Sequence, residues 1–144
     1  MFNKSPDERL SEWKKLRESL DHSNDPLTDL SEFWSNAPLT AFNHTIDQYN
    51  SKSWPTPWEI IAENRYDDFT ISLMMAWTLK LTTKFANSRI DLRTMVDEHR
   101  TKLYNLVYID NDIVLNYDKW KSIKSQEITE SLLMENLVDI EKPR

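Results

Sequence analysis

Between Phe69 and Leu81, nine of thirteen residues are apolar (Phe69, Ile71, Leu73, Met74, Met75, Ala76, Trp77, Leu79 and Leu81), and they surround a helix on every side instead of lining one stripe. Such a helix has no face to offer water, so other elements must enclose it. It is also too short, and too interrupted by threonine, to span a bilayer. The residues before it describe how it is approached. Thr56, Pro57 and Glu59 form a capping box with proline at the first helical position, which predicts a helix from Pro57 carrying Trp58, Ile60 and Ile61. The polar cluster Glu63-Asn64-Arg65 ends it. Asp67 or Asp68 then caps the enclosed helix and complements its positive N-terminal dipole.

The enclosing elements are legible on both sides. Ser5-Pro6-Asp7-Glu8 is a second capping box, and Leu10, Trp13, Leu16 and Leu20 follow as one apolar stripe. Asp25-Pro26 opens a shorter helix with Leu27, Leu30, Phe33 and Trp34, stopped by Pro38. Ile90, Leu92 and Thr94 alternate with charges as in a half-buried strand, and two runs rich in Val, Ile and Tyr flank the turn Asp110-Asn111-Asp112. Ile128, Leu132, Leu137 and Ile140 lie near one helical face, which predicts a C-terminal helix from Gln126 to Glu141. The expected architecture is a single α+β domain, residues 1–144, with a central buried helix on a small antiparallel sheet of about three strands. Residues 1–38 supply N-terminal helices, 40–118 the core, and 119–144 a helical C-terminal segment. That last helix, with a stripe wider than a marginal terminal helix needs, is expected to be the element that contacts a partner.

In one block the residues resemble a family. Trp54, Thr56, Pro57, Glu59, Ile60, Ile61 and then Asn64-Arg65-Tyr66-Asp67-Asp68-Phe69 are similar to transglutaminase-like cysteine proteinases of bacteria and phages. There a tryptophan, a small residue, Pro-x-Glu and an apolar pair precede Gly-Asp-Cys-Glu-Asp-Tyr and a buried helix. The family tends to have an asparagine upstream of the tryptophan, a place that Phe42-Asn43 through Tyr49-Asn50 could fill. Its downstream half, a His-bearing strand paired with a strand ending in Leu-Asp-Asn, is similar to Leu103–Tyr108 and Ile113–Tyr117. The resemblance covers roughly residues 40 to 118 and implies that Tyr66 stands at the cysteine position, Tyr104 near the histidine and Asn116 at the aspartate. It further implies that Tyr66 faces the Tyr104 strand.

The chemistry of those substitutions argues against the family's activity. A thiol at a helix N-terminus works because its pKa falls from about 8.5 toward neutrality, and this chain has no cysteine. A phenol, with an ordinary pKa of about 10, is a poor acyl-transfer nucleophile without strong activation. Of the three histidines, His22, His44 and His99, none falls on the strand where a triad needs it. Glycine is also absent, where about ten residues would be average. Gly-rich phosphate loops are thereby excluded, and positive-φ positions are expected to fall to Asn or Asp, with eleven asparagines available. A net charge of −6 with scattered basic residues offers no nucleic-acid backbone a stripe to bind.

The chain therefore reads as a non-catalytic transglutaminase-like domain acting as a binding or structural protein with a protein partner, without cofactor or metal, nucleic acid or membrane. Candidate cleft residues are Trp54, Trp58, Tyr66, Asp67, Asp68 and Tyr104. The degenerate motif, the small chain and the Asn/Lys/Ile-rich composition together resemble a phage protein, either a virion component or a host-interaction factor. Polar residues from Met1 to Asp7 lead directly into a helix, so a cytoplasmic location, or the virion, is expected. The alternative is an enzyme that gathers Asp67, Asp68 and His44 around a metal ion.

Overall fold

The computed structural model describes residues 1–41, 43, 46–118 and 121–143. Four helices, α1 (Pro6–Leu20), α2 (Pro26–Trp34), α3 (Pro57–Glu63) and α4 (Asp68–Lys80), precede five strands: β1 (Ile90–Asp97), β2 (Leu103–Ile109), β3 (Ile113–Leu115), β4 (Ile123–Lys124) and β5 (Leu132–Asp139). Each helix begins where its capping side chain dictates. Ser5, Asp25, Thr56 and Asp67 each accept a hydrogen bond from a first-turn backbone N–H, and α1, α2 and α3 carry proline at the start.

All the strand pairings are antiparallel, in the order β4-β3-β2-β1-β5. The sheet has five strands where about three were expected, and the difference lies in the C-terminal segment. The predicted helix from Gln126 to Glu141 does not form. A single 3-10 turn, Ser125–Glu127, leads instead to β5, which runs along β1 from Asp91↔Asp139 to Asp97↔Leu132. The pairing skips Glu135 at a bulge opposite Thr94 and Met95. That skip changes the phase of the two-residue alternation midway, so the apolar residues fall at spacings of three to five and imitate a helical face.

α4 is enclosed as its composition requires. Leu73, Met74, Ala76 and Leu79 have no exposed surface, and packed around them are Trp13 and Leu20 of α1, Leu30 and Trp34 of α2, Ile60 and Ile61 of α3, and Ile90, Leu92, Val107, Ile109 and Leu115 from the inner face of the sheet. Burying side chains of this size contributes about 1.5–3 kcal/mol each. Some of the polar groups inside the shell are tied. Trp13 Nε1 donates to Thr78 Oγ1 at 2.9 Å, and Thr78 Oγ1 donates to the Met74 carbonyl at 2.5 Å. Arg9 of α1 is buried. Its guanidinium donates to the carbonyls of Ile61 and Ala62 at 3.0 and 2.8 Å and to that of Lys4, so the cation closes the C-terminal end of α3.

The outer face of the sheet has its own smaller core of Tyr104, Leu106, Tyr108 and Val114. The segment from β4 to β5 crosses over it, joining the two edges. The Tyr104 and Tyr117 rings stack at 5.1 Å, and both phenols donate to Glu130 Oε2, at 2.8 and 2.9 Å. Positive-φ positions fall to Asn64, Asp110, Asn111 and Asn116, as expected of a glycine-free chain, but also to Arg100. Arg100 sits in the β1–β2 turn, where Asp97 accepts from the backbone N–H groups of Thr101 and Lys102 and from the Thr101 hydroxyl. Those bonds hold the turn shape against the cost of a left-handed arginine.

Candidate functional site

The polar centre of the molecule lies where the first turn of α4 meets β2 and the end of β3. Asp68 is the first residue of α4. Its Oδ2 accepts from Asn105 Nδ2 at 2.9 Å and its Oδ1 from Asn116 Nδ2 at 3.1 Å. Asn116 Nδ2 also approaches Ser72 Oγ at 2.7 Å and the Asn105 carbonyl at 2.9 Å, while Ser72 Oγ donates to that same carbonyl at 2.6 Å. An amide nitrogen has only two hydrogens, so Asn116 shares one of them among these acceptors. Three elements are thereby fastened to one carboxylate.

Each residue is placed by a local rule. Asp67 is the N-cap, so Asp68 is the first side chain to project from the helix proper, and Ser72 lies one turn further on the same face. Asn105 points toward α4 because successive residues of a strand face opposite sides, and it pairs with the inward-facing Thr94 of β1. Asn116 follows β3 with φ 67°, a left-handed conformation that asparagine tolerates and that ends the strand.

This arrangement corrects the expected juxtaposition. Tyr66 and Tyr104 do not meet, because the sheet lies between them. Tyr66 is wholly buried in the helical core, with its ring 5.6 Å from both Phe2 and Trp34. Tyr104 alternates to the outer face with Glu130. The side chains that do meet are Asp68, two residues beyond Tyr66, and Asn105, one beyond Tyr104; Asn116 stands among them. The carboxylate position follows from the capping pattern, since the residue after an N-cap opens the helix. No sequence signal distinguished Asn105 from Tyr104 except strand phase.

The remaining candidates disperse. Asp67 is consumed by capping: it accepts from Thr70 N and Thr70 Oγ1 at 2.8 and 2.6 Å and from Asn43 N at 3.1 Å. Trp54 packs on Phe69 and Trp77 at 5.5 and 6.2 Å and donates to the Asp47 carbonyl, and Trp58 packs edge-on to Trp13 at 5.8 Å. His44 lies outside the described residues. Among the described residues no group of three or more His, Cys, Asp or Glu side chains is placed to hold a metal ion. No helix among them is long and apolar enough to cross a membrane.

Beside the Asp68 network opens a pocket of about 100 Å³. Ser31 and Trp34 of α2, Ile71 and Met75 of α4, and the carboxylate residues Asp68 and Asp118 are among its lining. Among the described residues no cation pairs with Asp68, whereas Asp118 has Lys121 at 3.9 Å. The hydroxyl of Ser31, the indole N–H of Trp34 and the hydroxyl of Tyr66 are buried without a hydrogen-bond partner among the described residues. Burial pushes the Tyr66 phenol well above the usual range for tyrosine, with a small opposing pull from Arg9. In this site the phenol is a core group that keeps its proton.

No protein-family model matches the chain, and no curated protein matches it in sequence. Among solved structures it is similar to calcium-bound LapG of Legionella pneumophila, with a TM-score of 0.64 over 88% of this chain and 72% of that one, at 15% sequence identity. Likeness at that identity concerns the fold alone, and it supports a mixed α+β, transglutaminase-like fold.

Proposed function

We propose that this chain is a non-catalytic domain of the transglutaminase-like fold that serves as a binding protein, with the pocket beside Asp68 as its recognition site. The observation that carries this reading is the composition of the Asp68, Asn105 and Asn116 network. Acyl transfer in such a fold rests on a thiolate at a helix N-terminus and a neighbouring base. Here the helix opens with a carboxylate, and the two facing strands supply carboxamides, which neither take up nor release a proton near neutral pH. Both carboxylate oxygens already accept hydrogen bonds, so the network fixes the geometry of the cleft and activates nothing. His22 follows α1 and His99 sits in the β1–β2 turn, so neither imidazole belongs to it.

The test is turnover. Quenched-fluorescence peptides, aryl esters and an isopeptide-linked substrate should show no hydrolysis above background with purified protein. Hydrolysis that vanishes in Asp68→Asn would overturn the proposal, since it would make the carboxylate a working acid, base or nucleophile.

A further inference from the structure

We infer that the free edge of β5 pairs antiparallel with the β5 of a second copy of this chain, joining two sheets across a two-fold axis between Glu135 and Asn136. None of the strand's residues lines the Asp68 pocket, so this surface is separate from the proposed recognition site.

The two edges of the sheet are protected unequally. β4, at one edge, is two residues long and includes Lys124, and both features discourage further pairing. β5, at the other, runs for eight residues without lysine or proline. Its outward backbone N–H and C=O groups meet no strand among the described residues. Beside that edge Leu133 and Met134 are 50% and 55% exposed, on opposite faces of the sheet.

The bulge at Glu135 selects the occupant. A bulge shifts the phase of an edge midway, so a regular strand can match one side of it and not the other. A second β5 carries the same bulge. Leu133 and Val138 pair with Val96 and Leu92, four residues apart on β1, and Met134 and Leu137 pair with Met95 and Arg93, two apart. An even step along β1 preserves phase, so within each pair the side chains share a face and the backbone groups share a direction. Setting Leu133 against Val138 of the second copy, and Met134 against its Leu137, therefore matches on both sides of the bulge at once.

Charge agrees with this register. Glu135 then faces Asn136 of the second copy and Asp139 faces its Leu132, so no two acids oppose each other. Each acid also has its own cation, Arg100 at 3.2 Å from Glu135 and Arg89 at 3.7 Å from Asp139. Sliding by one residue puts side chains on mismatched faces. Sliding by two sets Leu133 against Asn136, or Met134 against Asp139.

The experiment is sedimentation equilibrium of the full chain. Two short edges make a small interface of the weak class, so the mass is expected to rise from monomer at about 1 μM toward dimer at about 1 mM. Salt should strengthen the association, because each copy carries a net charge of −6. Met134→Lys, at an exposed position, should weaken dimerisation by about tenfold or more and keep the melting transition. Leu103→Lys, comparably exposed on β2, should leave dimerisation unchanged. The register is read by cross-linking. The chain has no cysteine, so Met134→Cys and Leu137→Cys each introduce a single thiol. Mixed under mild oxidation, the two variants should form far more disulfide dimer than either alone, because residues directly opposite across a strand pair lie within disulfide reach. A chain still monomeric at about 1 mM would overturn the inference. So would equal weakening by Leu103→Lys, or cross-linking no greater in the mixture than in the single variants.

Discussion

Replacing Tyr66 with phenylalanine should stabilise the protein. The Tyr66 side chain is wholly buried, edge-on to Phe2 and against Trp34, and its hydroxyl has no hydrogen-bond partner among the described residues. A buried polar group without a partner costs about 1–3 kcal/mol. Removing the oxygen forfeits a handful of dispersion contacts at about 0.1–0.2 kcal/mol each, roughly 0.5–1 kcal/mol together. The net expectation for Tyr66→Phe is a gain of about 1 kcal/mol, or about 3–4 °C in Tm for a chain of this size. Tyr66→Ala removes the ring itself and should cost about 3–5 kcal/mol. Urea unfolding followed by tryptophan fluorescence gives both values, and the slope m should not change between wild type and Tyr66→Phe. A loss of about 1 kcal/mol or more in Tyr66→Phe would refute the reasoning and show that the hydroxyl has a partner. The chemistry most able to supply one is a buried water shared with the equally unpartnered Trp34 Nε1.

Other expectations follow from the sheet and the polar centre. Asp68→Ala should cost about 2 kcal/mol, because it deprives the buried Asn105 amide of its acceptor; a double-mutant cycle with Asn116→Ala should show coupling above about 0.5 kcal/mol, and strict additivity would sink the network. Truncation after Ser125 should abolish the cooperative melting transition, since it removes β5 and the buried Ile140; a soluble fragment that still melts sharply would mean that the first four strands suffice. Tyr117 is raised from 10.0 to about 12, first by its hydrogen bond to Glu130 and then by burial, so it contributes stability that is present below pH 10 and lost as pH climbs from 10 through about 12. Tyr66 is raised too, by burial, so Tyr66→Phe and Tyr117→Phe should each remove a late-ionising phenol from an alkaline titration at 295 nm; loss of an early-ionising phenol in either variant would contradict this.

Much of the helical half was legible because its signals are local. Ser5, Asp25, Thr56 and Asp67 cap the helices from one turn away, and the all-round apolar pattern of α4 predicted its enclosure. What escaped depends on partners distant in sequence. β5 is half-exposed along its length, so burial imposes no clean alternation, and the skipped Glu135 scrambles what remains. The expected Tyr66 and Tyr104 pairing erred at both ends: Tyr66 turns into the helical core and leaves Asp68 to face β2, and a one-residue step along β2 carries a side chain from α4 to the far face. The burial of Arg9 has no local signal, because the carbonyls it closes belong to α3, more than fifty residues away.

The place of β5 has a consequence for how the protein is made. In the order β4-β3-β2-β1-β5, the outer edge of β1 finds its neighbour only when Asp139 has been synthesised, some 42 residues after Asp97. At roughly 5–20 residues per second, translation leaves that edge unpaired for about 2–8 s, longer still while the last strand remains inside the ribosomal tunnel. Throughout that interval the nascent chain offers a row of bare backbone N–H and C=O groups beside Leu92 and Val96 to any other extended strand nearby. Crowding on polysomes should therefore lower its yield, and slower translation alone would lengthen the exposure.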